Sequence, residues 1–200
     1  MALPTPETQA KVASEAAQSF VDHFYETLNK RRPLAPFYAS ASPRLTAAGV
    51  VPDISINGLV LPSVSAYESL LDTQAGGGGA GAGGSGSSGS AHVNYDVASF
   101  DAHPVNPVFR IGEPETDAGA AVKSGDRLSF AVQVSGVVRY GRGRRDDATA
   151  GAGGNGDDDA PLEKPFNEAF LLVPHWEAWA RNAPRGLRRW VIVSQNFRAL

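Results

Sequence analysis

The chain opens on a helical rhythm. Ala13, Ala17, Phe20, Phe24 and Leu28 recur at three- and four-residue steps, and Val21 and Tyr25 widen the stripe. That spacing predicts a long amphipathic helix from about Pro6 to Arg31 with one buried face. Arg32 to Tyr38 allows a second short helix carrying Leu34, Phe37 and Tyr38, and Pro43 then changes the pattern. Val50, Val51, Ile54 and Ile56, followed by Leu59, Val60 and Leu61, suit two short strands joined at Asn57-Gly58, a pair typical of hairpin turns. Ala66, Tyr67, Leu70 and Leu71 return to helical spacing, with Ser63 or Ser65 near the cap.

Farther along the period becomes two. Val93, Tyr95 and Val97 alternate with His92, Asn94 and Asp96, and the frame shifts before Phe100. Leu128, Phe130, Val132, Val134, Gly136, Val138 and Tyr140 form the longest alternation. Phe166, Glu168, Phe170 and Leu172 alternate with Asn167, Ala169, Leu171 and Val173, so that strand carries apolar groups on both faces. A last strand runs from Trp190 to Leu200, with Trp190 and Ile192 on one side and Val191, Val193 and Phe197 on the other. Helices first and long strands afterwards is the segregated order of an α+β domain. A long helix on a curled antiparallel sheet closes as a half-open cone, and one helix layer leaves a sheet face uncovered. A subunit interface is the usual cover for such a face.

Composition refines this picture. Nine of the 22 Gly fall between Gly76 and Gly89 and six between Gly141 and Gly156. Two insertions are therefore expected at about 75–91 and 141–161, the first nearly pure Gly/Ala/Ser and the second running from Arg142, Arg144 and Arg145 to Asp157, Asp158 and Asp159. What remains suits a single domain over residues 1–200. The absence of Cys removes thiol nucleophiles, disulfides and Cys-ligated metals. Apolar runs are too short to span a membrane and no signal peptide is visible, so a soluble intracellular chain is expected. A formal charge of −3 disfavours nucleic-acid binding over the whole surface but leaves room for a local basic patch.

The order of elements, with Ser19-Phe20-Val21-Asp22-His23-Phe24-Tyr25-Glu26-Thr27-Leu28, Phe166-Asn167-Glu168-Ala169-Phe170-Leu171-Leu172-Val173-Pro174 and Trp190-Val191-Ile192-Val193-Ser194-Gln195-Asn196-Phe197-Arg198, resembles the nuclear transport factor 2-like family. Phe100-Asp101-Ala102-His103-Pro104-Val105, Asn167-Glu168 and the Ser194 to Arg198 ending are most similar to its branch of small subunits of fungal mRNA export receptors. The resemblance implies a non-catalytic scaffold without cofactor. Such a subunit pairs through its open sheet face with a large subunit, contacts Phe-Gly nucleoporins, and shuttles between nucleus, nuclear pore and cytoplasm with messenger ribonucleoprotein and pre-ribosomal subunits. The sheet face carrying Phe166, Glu168 and Phe170, with Asn196 and Arg198 of the terminal strand, is expected to form the partner interface, and the resemblance implies that Arg198 meets an acidic residue. The two insertions are not matched by this resemblance, which implies nothing about what they do.

Other readings compete. Cone-shaped relatives include enzymes and ligand binders with an Asp, Tyr or His deep in the cone, and a homodimeric transport factor for a small GTPase is a further alternative. Asp96 and Asp101, five apart, face opposite sides of a regular strand, which spoils a simple catalytic dyad. Arg139, Arg142, Arg144 and Arg145, and Arg185, Arg188 and Arg189, are either solvated loop charges or sequence-independent contacts to RNA phosphate. Trp176 and Trp179 are core residues or else anchors in an interface or a Phe-binding pocket.

Overall fold

A computed structural model describes residues 3–75, 91–114, 124–142, 162–180 and 182–200. The two expected insertions lie outside the described residues except at their ends. Helix α1 covers Pro6–Asn29, with Pro6 in its first turn and the Thr5 hydroxyl accepting from the Thr8 amide. Its buried side chains are Ala13, Ala17, Phe20, Val21, Phe24, Tyr25 and Leu28, the stripe read from the sequence. The expected second helix is only a 3-10 turn at Ala35–Phe37, followed by another at Ala39–Ala41.

Helix α2, Pro43–Ala47, was not expected from the pattern. One turn of helix is unstable alone, and this one is held from elsewhere in the chain. Glu177 accepts from the Ser42 hydroxyl (2.7 Å) and the Arg44 amide (2.9 Å). Strands β1 (Asp53–Ile56) and β2 (Leu59–Leu61) flank the expected turn, where Asn57 and Gly58 both have positive φ, 51° and 87°. Helix α3 is Val64–Ala75, and Ser63 rather than Ser65 accepts from the Ala66 amide.

Strands β3 (Ala91–Asn106), β4 (Ser129–Arg142), β5 (Leu162–Pro174) and β6 (Trp190–Ala199) complete one sheet in the order β2-β1-β6-β5-β4-β3. All pairs are antiparallel except β1 with β6. Gly136 on β4 permits a close crossing, since a Cβ there would lie 2.1 Å from the Asp96 carbonyl oxygen.

Two irregularities decide which residues share a face. The β3 register shifts between Val97 and Ser99, so Asp96 pairs with Val137 and Asp101 with Gln133. Both carboxylates consequently lie on the outer face, correcting the expectation that they oppose one another. In β6 the partner of Leu171 is Ser194 and that of Leu172 is Ile192, which leaves Val193 as an extra residue. That bulge brings Ile192 and Phe197 into the same core, although strict alternation separates them.

The inner sheet face and α1 enclose the main core. A second cluster of Ala39, Leu45, Val173, Trp176 and Val191 covers one end of the outer face. Beside it, buried Arg127 is paired with Glu113.

Candidate partner interface

Inside the cone the chemistry centres on Glu168, which is 1% exposed. The Tyr25 hydroxyl donates to its Oε2 (2.5 Å) and the Gln195 amide to its Oε1 (2.6 Å), while the Tyr38 hydroxyl donates to the Gln195 carbonyl. Burial pushes the Glu168 carboxyl up to about 7, against the two donated hydrogen bonds that favour its ionised form. Burial and the neighbouring carboxylate likewise raise the hydroxyls of Tyr25, Tyr38 and Tyr67. The sequence pointed to Glu168 as an interface residue and did not single out Tyr25 or Gln195 as its partners.

A raised carboxyl beside tyrosines is the arrangement a cone-type enzyme would use, so access matters. The cavity at the mouth of the cone, about 210 Å³, is lined by Leu28, Arg31, Arg32, Pro33, Leu34, Glu68, Leu71, Asp72, Val93 and Tyr95, and stops short of Glu168. Rings fill the space between. Tyr25 and Tyr95 pack on Phe166, and Phe166 stacks on Phe197. Glu168 and its hydrogen-bond partners are thus part of the packed core. Among the described residues, no group of three or more His, Asp or Glu is arranged to hold a metal, and no helix is long and apolar enough to cross a membrane.

Phe166, Glu168 and Phe170 are therefore not on a free surface, and their assignment to the interface is corrected. Phe170 is 2% exposed and meets Phe20 and Phe24 of α1 edge-on. With a period of two, the free residues of β5 are the alternate set Asn167, Ala169 and Leu171. The apolar signal of the even positions marked the core and concealed this complementary set.

Across the strands these residues form aligned rows. Ser55, Asn196, Ala169, Gln133 and Asp101 lie opposite one another in succession. On one side runs the row Asp53, Ser194, Leu171, Ala131 and His103, and on the other Arg198, Asn167, Ser135 and Ser99. All are exposed or half-buried. Most of the side chains are short and, among the described residues, no helix covers them, so another surface could approach the sheet closely. Asn196 and Arg198 both belong to this face, opposite the one that carries Phe170. The Arg198 guanidinium lies beside Gly58, and no carboxylate among the described residues is within ion-pair distance of it.

The arginine clusters separate. Arg139 is held between Glu163 (2.6 Å) and Asp96 (3.1 Å), so its charge is already answered within the chain. The pairs are exposed, so this engagement is a surface one. The backbone of Arg142 ends β4, while Arg144 and Arg145 lie outside the described residues. Arg185 is exposed. Arg188 is half-buried with its guanidinium 3.5 Å over the Phe37 ring, and Arg189 lies 4.7 Å over Trp179. Trp176 is core, donating to the Ile111 carbonyl (2.7 Å), whereas Trp179 is half-buried against Trp190.

Similarity to solved structures is extensive. The chain superposes with a TM-score of 0.75 and 30% identity on a structure described as Sac3N peptide bound to Mex67:Mtr2, over 94% of this chain and 99% of the matched one. The Chaetomium thermophilum Mex67 NTF2-like domain complexed with Mtr2 gives 0.73 and 30%, over 94% and 98%. A structure of Mtr2 gives 0.72 and 29%, over 94% and 99%. In these comparisons the similar chain is Mtr2. No family model and no curated protein sequence matches.

Proposed function

The chain belongs to the nuclear transport factor 2-like family, and we propose that it is the small, non-catalytic subunit of a heterodimeric mRNA export receptor. The observation that carries this reading is its similarity, over nearly its whole length, to Mtr2 chains solved together with Mex67. The outer sheet face supplies the surface. Its centre, around Asn167, Ala169, Gln133, Asn196 and Arg198, seats the matching domain of the large subunit.

The composition of that face suits an interface of this kind. Apart from a depletion of charge at their centres, subunit interfaces are about as polar as the rest of a protein surface. Here the central row runs through Ser55, Asn196, Ala169 and Gln133, the charges of Asp53, Asp101, Glu163 and Arg139 lie toward the edges, and Arg198 stands nearer the centre, beside Asn167. Arg198 pairs there with an acidic residue of the large subunit.

The finer reading is that the pair carries messenger ribonucleoprotein, and pre-ribosomal subunits as a further cargo, through nuclear pores by contacting Phe-Gly nucleoporins. It then moves between nucleus and cytoplasm. RNA touches the small subunit through Arg142, Arg144, Arg145 and Arg185, as a contact indifferent to sequence. The test is affinity purification of the tagged chain from cell extract. A stoichiometric partner containing a nuclear transport factor 2-like domain is expected. Recovery of the chain alone, or as a homodimer, contradicts the proposal.

A further inference from the structure

A groove of about 610 Å³ lies on the helix-bearing side, between α1 and the segment leading into β6. It shares no residue with the outer sheet face, so occupation of one leaves the other open. Its volume falls within the range of ordinary ligand pockets.

The walls are preorganised. The Trp179 indole donates to the Arg189 carbonyl (3.3 Å) and that of Trp190 to the Leu128 carbonyl (2.9 Å), and the two rings meet edge-to-face at 5.4 Å. Leu187 and Phe20 extend the apolar lining. Two guanidiniums complete it, Arg188 laid on Phe37 and Arg189 on Trp179.

Charge bookkeeping within the groove is uneven. Glu15 already has Lys11 as its neighbour (3.9 Å), and Asp126 accepts from the Ser124 hydroxyl (2.7 Å). Neither Arg188 nor Arg189 has a carboxylate within ion-pair distance among the described residues. Burial lowers the pKa of the Arg188 guanidinium, a desolvation cost that a neighbouring anion would offset. A guanidinium placed over a ring face keeps N–H groups that can bind a carboxylate in bidentate fashion.

We propose that this groove docks an acidic peptide segment of a partner protein, which places a large apolar side chain against Trp179 and Trp190 and a carboxylate on Arg188 and Arg189. A run of RNA phosphates fits less well, because Glu15 and Asp126 would repel the charges flanking the two arginines.

The test is to pan a random dodecapeptide display library against the immobilised full chain, and then to titrate the enriched peptide by tryptophan fluorescence. Enrichment of Asp or Glu close to Trp, Phe or Leu is expected. The affinity should fall by about tenfold or more in Arg188→Gln/Arg189→Gln. Arg189→Glu, an exposed substitution that spares the Phe37 contact, should weaken it similarly, and Arg188→Lys should retain part of it. Absence of charge-selective enrichment, undiminished affinity in both Arg189 variants, equal binding of a neutral Phe-Gly peptide, or displacement by a uridine dodecamer would each overturn the proposal.

Discussion

The two faces of the sheet are made from alternate residues of the same strands, and they differ in almost every physical property. The inner face holds Phe166, Phe170 and Phe197 around a sequestered carboxyl and is closed by α1. The outer face presents Ser, Ala, Asn and Gln in register, and among the described residues only the end near Val173 and Val191 is covered by the chain itself. Chemistry that looks enzymatic sits on a carboxyl that is buried among the rings and hydroxyls of the core. The face that looks bland is the one available to a partner. In this chain the raised carboxyl and the large apolar signal mark the interior, and the proposed interaction surface is found by subtraction.

The difference breaks most visibly in the core. Phe24 is fully buried, stacks on Phe20 and meets Phe37 and Phe170 edge-on. Phe24→Ala should cost about 3–5 kcal/mol of stability, read as the shift in a urea unfolding midpoint.

Comparable in size but confined to association is Arg198→Glu. If Arg198 meets an acidic residue in a buried pair, reversing its charge should cost the complex about 3–5 kcal/mol or more. Co-purification with the large-subunit domain would be lost while the melting temperature of the chain itself stays nearly unchanged.

The Glu168 carboxyl gives a pH dependence of defined sign. It titrates near 7 when folded, against a reference value of 4.5, so the folded state holds the proton more tightly. The stability this contributes is fully present below about 4.5 and is lost as pH rises through about 7. Between pH 5 and 8 the wild type should lose stability on the order of 3 kcal/mol relative to Glu168→Gln. Parallel curves for the two proteins would show that the carboxyl is not sequestered.

The smallest effect sharpens the contrast from the other side. Gln133→Ala on the outer face should change chain stability by no more than about 0.5 kcal/mol, as a denaturant titration would read it.

These differences also explain what was legible in the sequence. The α1 stripe and the Asn57-Gly58 turn were readable because both follow from local periodicity and local backbone preference. The α+β order and the long strands were readable for the same reason. Helix α2 was not, since its stability depends on Glu177, a residue far along the chain. The bulges at Val97/Ser99 and Val193 changed which residues share a face, and alternation has no means of signalling the second one. Phe166, Glu168 and Phe170 were misassigned because strong apolar alternation shows that a strand has a buried face without saying whether a helix or a partner buries it. Among the arginines, sequence proximity could not reveal that Arg139 is engaged by Glu163 and Asp96 while Arg188 rests on Phe37.

The central claim is that the outer face around Ala169 is covered by the large subunit. The chain contains no Cys, so a single thiol can be introduced without background. Ala169→Cys and, on the helix side, Glu15→Cys should both react readily with a maleimide when the chain is alone. In the presence of the large-subunit domain, the account predicts protection of the thiol at position 169 and undiminished reaction at position 15. Equal reactivity at position 169 with and without a bound partner would contradict it.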